Sequence, residues 1–73
     1  MMHFDLWDVA TGNYYGRFST EDEALALVRT LVREYGPAYA DDLNLGAEDD
    51  EGRFAEPLSG AALLDRIEAL APS

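Results

Sequence analysis

Acidic side chains carry most of the chemical potential of this chain, which has fifteen aspartate and glutamate residues, one histidine and no cysteine. The densest run is Glu48-Asp49-Asp50-Glu51, whose carboxylate oxygens are the ligands that a hard cation such as Ca²⁺ prefers. The run lacks the alternating aspartate spacing and the closing glutamate of a calcium-binding loop. A solvated turn is therefore the better interpretation, and Asp41-Asp42 is interpreted in the same way.

Catalysis is the second kind of chemistry to consider. His3 is the only histidine, it is expected to be exposed, and it has no nearby serine, cysteine or second histidine with which to form a catalytic or zinc-binding set. Paired carboxylates need a cleft that raises the pKa of one of them, and so short a domain has little room for a cleft. A glycine-rich phosphate loop is absent. The sequence predicts a protein that is not an enzyme, with no catalytic residues, no metal ligands and no cofactor.

Aromatic and arginine side chains near the N-terminus point to binding instead. Trp7, Tyr15 and Arg17 are predicted to share one face of a β-hairpin, with Asp5 at its rim, because strict alternation turns Tyr14 to the opposite face. Tryptophan, tyrosine and arginine are the residues that most often anchor protein interfaces, so Trp7, Tyr15, Arg17 and Asp5 form the candidate binding site for a protein partner. The alternative is a structural cross-strand pair of Trp7 and Tyr15 that only stiffens the hairpin.

Two short strands joined by a tight turn must position these side chains. Residues 3–9 and about 14–18 alternate between apolar and polar, and Ala10-Thr11-Gly12-Asn13 between them supplies turn chemistry. Strands joined so closely form an antiparallel hairpin. Asp8 and Asn13 flank the turn, where a ligand contact is conceivable, but residues of this type more often hydrogen-bond the turn backbone.

The first helix has the clearest local pattern in the chain. Thr20-Glu21-Asp22-Glu23 is a capping box, and its three acidic residues suit the positive end of the helix dipole. Gly36 and Pro37 end the helix, and residues 37–42 are expected to add one further helical turn. One apolar stripe at helical spacing comprises Ala24, Leu25, Val28, Leu31, Val32 and Tyr35.

The second half of the chain repeats the order of two strands and a helix. Leu43 to Glu48 is a predicted strand, residues 49–52 a turn, and Arg53 to Glu56 a short strand that Pro57 ends. Ser59 is the expected N-cap of a last helix, about 60–70. Residues 1–73 are thus one α+β domain of order ββαββα, with two helices packed on one face of an antiparallel sheet. The other sheet face is left open to solvent or to a partner.

The runs LWDVATGN, GRF, STEDEALALVR, GPAYADDLNLG and EDDEGR together resemble a group of short bacterial proteins with no established activity. The resemblance covers nearly the whole chain, so it bears on the fold and implies little about function. Ser59-Gly60 departs from the charged residue followed by glycine that the group often has there. The matching residues are Leu6, Trp7, Asp8, Thr11, Gly12, Asn13, Gly16, Phe18, Glu23, Ala24, Val28, Gly36, Leu43 and Leu45.

Composition limits the partners and the location of the protein. The formal net charge is −10, which repels phosphate backbones and anionic lipids, so neither nucleic acid nor a membrane is an expected partner. The N-terminus has no basic segment followed by an apolar run, and the chain has no cysteine, which together favour the cytoplasm. A chain of 73 residues has a small core, and a homodimer that buries more apolar surface is compatible with it.

The leading hypothesis is a small acidic, non-enzymatic module that binds a protein partner through its open sheet face, as an adaptor or a regulator. One alternative is an inhibitor that mimics nucleic acid, or an antitoxin-like partner, because dense negative charge suits a basic site on another protein. Another is a domain that binds a small ligand between the sheet and a helix or at a dimer interface. Salt dependence separates the first two, and thermal shift against metabolites tests the third.

Overall fold

The structure, a computed structural model, describes residues 2–70, apart from the side chains of residues 54 and 55. Its four strands form one antiparallel sheet in the spatial order β2-β1-β3-β4. The strands are β1 (His3–Asp8), β2 (Asn13–Phe18), β3 (Leu43–Glu48) and β4 (Phe54–Leu58). The first strand is therefore central, with the predicted hairpin partner on one side and the first strand of the second half on the other.

Helix α1 (Glu21–Tyr35) begins and ends where the sequence predicts. The backbone N–H of Glu23 donates to the Thr20 hydroxyl over 3.2 Å, and that hydroxyl donates to the Glu23 carboxylate over 3.1 Å. Gly36 ends the helix at a φ of 96°, a conformation that favours glycine. The following residues form a short 3₁₀ helix (Pro37–Asp42), as expected from the predicted extra turn.

The last strand and helix depart from the predicted boundaries. Strand β4 continues through Pro57, which is tolerated because β4 is an edge strand and needs no N–H on its outer side. Helix α2 (Ala61–Glu68) is preceded by Gly60 at a φ of 57°, so Gly60 and not Ser59 is the N-cap. The backbone N–H of Gly60 donates to the carbonyl of Ala40 over 2.9 Å, which ties the start of α2 to the 3₁₀ helix.

Both helices pack on one face of the sheet, which confirms the predicted α+β fold of order ββαββα. The buried apolar side chains come from that sheet face, from α1 and from single positions in the 3₁₀ helix and α2. They are Leu6, Ala24, Leu25, Val28, Leu31, Val32, Ala40, Leu43, Leu45 and Leu63. Within residues 2–70, no helix combines the length and the apolar character needed to cross a bilayer.

Candidate functional site

The sheet face opposite the helices carries an exposed pair of aromatic rings. The centroids of Trp7 and Tyr14 lie 4.5 Å apart, with the ring planes inclined by 44°. The two residues are 43% and 48% exposed. On the other side of Trp7, its cross-strand partner in β3 is Asn44. The centre of the open face is therefore an aromatic platform between polar neighbours.

Tyr14, and not the predicted Tyr15, is the partner of Trp7. The register between β1 and β2 shifts after the Leu6–Gly16 pair, so that Trp7 lies opposite Tyr14 and Tyr15 is an extra residue in its strand. A bulge of this kind breaks the strict alternation from which the faces were predicted. The prediction that Tyr15 shares the open face with Trp7 was wrong. The hydroxyl of Tyr15 instead lies 2.6 Å from that of Tyr39, which packs against the core.

Asp5 connects the aromatic pair to Arg17 and holds both in place. The Tyr14 hydroxyl donates to Oδ1 of Asp5 over 2.6 Å, and Nε of Arg17 donates to the same oxygen over 3.2 Å. Partial burial is the largest single effect and raises the pKa of Asp5, but the hydrogen bonds from Tyr14 and Arg17, together with the positive charge of Arg17, bring the pKa below its usual value. The same bond to Asp5 raises the pKa of the Tyr14 hydroxyl. Asp5 and Arg17 thus lie beside Trp7, as the sequence predicts.

Asp8 is charged and only 4% exposed, and it organises the end of the hairpin. Its Oδ1 accepts from the backbone N–H groups of Ala10 and Thr11, over 3.0 and 3.2 Å, and its Oδ2 accepts from the Tyr39 hydroxyl over 2.7 Å. The hydrogen bond from Tyr39 is the main reason that the pKa of Asp8 lies below its usual value. Hydrogen bonding to the Tyr15 hydroxyl is the main reason that the pKa of Tyr39 is raised. The prediction that Asp8 hydrogen-bonds the turn backbone is confirmed.

His3 is not an isolated exposed side chain, contrary to the expectation from sequence. Its Nε2 lies 3.1 Å from Oε2 of Glu48 and 3.8 Å from Oδ2 of Asp5. Only 24% of the His3 side chain is exposed. His3 and Glu48 are direct partners in the antiparallel pairing of β1 with β3, which a reading of one strand at a time could not show. The ligand atoms of His3, Asp5 and Glu48 all lie within 4.8 Å of one another.

The acidic turn and a cleft on the helix side of the sheet are weaker candidates for a functional site than the open face. Oδ1 of Asp49 accepts from the backbone N–H groups of Glu51 and Arg53, over 2.9 Å each, which is the turn geometry predicted from the sequence. The cleft, on the helix side of β3 and β4, has a volume of about 230 Å³. Its one arginine, Arg66, is bonded to the Glu21 carboxylate. The cleft is smaller than the roughly 300 Å³ at which ligand pockets begin.

Comparison of the chain with protein-family models, with curated proteins and with solved structures gives no match. The similarity to the bacterial group described above is therefore still a prediction.

Proposed function

We propose that this protein is a non-enzymatic cytoplasmic interaction module whose binding surface is the open sheet face. The central part of that face consists of Trp7, Tyr14, Asp5 and Arg17 and is called the aromatic platform below. The observation that carries the proposal is the Trp7–Tyr14 pair, two large rings in contact with each other and each nearly half exposed. Large exposed aromatic side chains are the residues that most often dominate binding energy at protein interfaces.

The hydrogen bonds within the platform favour a role in binding. Asp5 fixes the hydroxyl of Tyr14 and the guanidinium of Arg17 before any partner arrives. An interface side chain that must be immobilised on binding costs about 0.5–1.5 kcal/mol. Side chains that are already ordered avoid part of that cost. The platform is thus tied together by its own hydrogen bonds, with aromatic rings at its centre and polar groups at its edge, which is the usual arrangement of a protein interface.

Charge indicates what kind of partner fits. The chain carries a net charge of −10, and the open face includes the carboxylate of Asp5 within the platform and that of Glu48, which pairs with His3 further along the strands. The complementary surface is an apolar pocket for the rings, surrounded by lysine and arginine. A second copy of this chain would add another net charge of −10 to the complex. A different, basic protein is therefore the proposed partner.

A nucleic-acid mimic is the competing function, because dense negative charge is also the observation behind it. The two functions differ in what holds the complex together. Charge mimicry depends on long-range attraction, which weakens as the screening length falls from about 10 Å in 0.1 M salt to about 3 Å in 1 M salt. A complex centred on buried rings keeps much of its affinity over that range, because burial of apolar surface does not depend on screening.

Site-specific photocrosslinking tests the proposal. A photoreactive phenylalanine analogue replaces Tyr14 in one variant and Tyr35 in another, and each variant is irradiated in a lysate of the source organism. Tyr35 is the matched control, since it is 63% exposed and lies at the end of α1, outside the sheet. We expect one protein to crosslink through position 14 and not through position 35, and that protein to carry a basic surface.

The affinity of the purified partner then decides between the alternatives. We expect Trp7→Ala to weaken binding by more than about 2 kcal/mol, the range of interface hot spots, and Tyr35→Ala to leave it unchanged. Binding that survives Trp7→Ala but is abolished in 1 M salt would favour the charge mimic. Equal crosslinking through both positions, or crosslinking only to a second copy of the chain, would contradict the proposal.

A further inference from the structure

We propose that His3, Asp5 and Glu48 form a binding site for one divalent transition-metal ion, of which Zn²⁺ is the best example. This metal triad lies on the open sheet face, where the start of β1 pairs with the end of β3. It offers one imidazole nitrogen and two carboxylate oxygens, all within 4.8 Å of one another. The site is separate from the role of the aromatic platform in partner binding, although Asp5 belongs to both.

The separations of the ligand atoms suit a single ion. Zinc binds imidazole nitrogen and carboxylate oxygen at about 2.0–2.2 Å, so neighbouring ligand atoms around it lie roughly 3–3.6 Å apart. Nε2 of His3 lies 3.1 Å from Oε2 of Glu48 and 3.8 Å from Oδ2 of Asp5. Small side-chain rotations therefore bring all three ligand atoms onto one ion placed between them. The remaining coordination positions face solvent and are filled by water.

The orientation of Asp5 supports the assignment. Tyr14 and Arg17 both donate to Oδ1 of Asp5, while Oδ2 is the oxygen directed at His3. Ligating carboxylates in metalloproteins are commonly held by such outer hydrogen bonds, which leave the second oxygen for the metal. The backbone contributes as well, because His3 and Glu48 are paired residues of two adjacent strands and Asp5 follows His3 on the same face.

The donor set also indicates which metal fits. Carboxylates alone suit Mg²⁺ and Ca²⁺, whereas an imidazole among the ligands favours Zn²⁺ and its neighbours in the transition series. Two carboxylates with a neutral imidazole balance the charge of a divalent ion. A diffuse acidic surface would instead attract all divalent cations about equally, so preference for Zn²⁺ over Mg²⁺ distinguishes the metal triad from the general charge of the protein.

Proton NMR of the untagged protein is a direct test, because His3 is the only histidine and its ring signals are unambiguous. Zn²⁺ is titrated in a buffer that does not bind metals, with Mg²⁺ as the comparison. We expect the imidazole signals to shift until a single equivalent of Zn²⁺ has been added, and to stay in place with Mg²⁺. Unmoved imidazole signals, or equal shifts with the two ions, would overturn the proposal.

Matched variants separate the site from bulk charge. Glu48→Gln and Glu51→Gln each remove one negative charge from neighbouring positions, but Glu51 is outside the metal triad and pairs with Arg53. We expect Glu48→Gln and His3→Gln to weaken Zn²⁺ binding at least about tenfold, as measured by calorimetry, and Glu51→Gln to have little effect. Equal weakening by Glu48→Gln and Glu51→Gln would show adventitious binding by charge alone. None of these measurements requires the protein partner, so this proposal and the proposed function fail independently.

Discussion

The Tyr39 hydroxyl donates a 2.7 Å hydrogen bond to Oδ2 of Asp8 and so joins the 3₁₀ helix to the hairpin turn between β1 and β2. Asp8 lies on the helix side of the sheet and is almost fully buried, where an unpaired charge would be costly. Its two oxygens instead receive three hydrogen bonds, from Tyr39 and from the backbone of Ala10 and Thr11. Among the described residues, no buried side-chain nitrogen or oxygen lacks a partner.

Tyr39→Phe should destabilise the fold by about 1.5–3 kcal/mol, the usual net contribution of a hydrogen bond to a charged group. The substitution keeps the ring against the core and removes the hydroxyl that donates to Asp8 and pairs with the Tyr15 hydroxyl. Tyr35→Phe is the matched control, because the interaction found for Tyr35 among the described residues is a ring contact with Tyr39. Urea unfolding of both variants measures the difference. An equal loss in both would show that the hydrogen bonds of the Tyr39 hydroxyl contribute nothing.

Asp8 should make the stability of the protein depend on acid pH. Hydrogen bonding, above all from Tyr39, lowers the pKa of Asp8 in the folded protein below its usual value of 3.8. A lowered pKa means that the stabilisation is fully present above the unfolded pKa and is lost as the pH falls through the folded pKa. Asp8→Asn should therefore be less stable than the wild type at pH 7, and the gap should close towards acid. Unfolding curves at several pH values test this, and a gap that stays constant would contradict it.

Local sequence signals were sufficient for most of the fold. The capping box at Thr20 and the stop at Gly36 predicted α1 accurately, because helix ends are set by hydrogen bonds between near neighbours. The order ββαββα and the packing of both helices on one face followed from the apolar periodicity. The N-cap of α2 could not be predicted from local sequence, because Gly60 is placed by a hydrogen bond to the distant carbonyl of Ala40.

The candidate site was predicted only in part, because its geometry depends on pairing between strands. The sequence indicated Trp7, Arg17 and Asp5. The bulge places Tyr14 instead of Tyr15 opposite Trp7, and strict alternation cannot predict a bulge. Glu48 is a neighbour of His3 only because β1 pairs with β3. Pairing of distant strands is set by the whole fold, so contacts between residues on such strands are the hardest to predict from sequence.

Gly16→Ala should be destabilising, because Gly16 adopts a φ of 141° beside the bulge, where a side chain is strained even though space is open. The expected cost is about 1 kcal/mol or more. Gly46→Ala is the matched control within the same sheet, with open space and no positive φ, and it should be neutral or slightly stabilising. Thermal unfolding of the two variants gives the comparison. A neutral Gly16→Ala would mean that the bulge is not fixed by its glycine.

Leu63 is the fully buried side chain through which α2 joins the core, so its truncation should be severe. Leu63→Ala should cost about 2–5 kcal/mol, the range for buried leucines. Leu64→Ala, at a partly buried position of the same helix, should cost clearly less. Chemical denaturation measures both free energies of unfolding. Equal losses would indicate that α2 is not anchored at Leu63.

A double-mutant cycle on folding stability should locate the partner of Trp7. Alanine substitutions of Trp7 and Tyr14, singly and together, should give a coupling energy of about 0.5–1.5 kcal/mol, as for other aromatic pairs. The same cycle with Tyr15 should give a coupling below about 0.5 kcal/mol, as for residues without shared contacts, because Tyr15 contacts Tyr39 instead. Stronger coupling of Trp7 to Tyr15 than to Tyr14 would indicate regular alternation in β2 and contradict the bulge. Since the aromatic platform depends on the bulge, that result would also move the proposed binding surface.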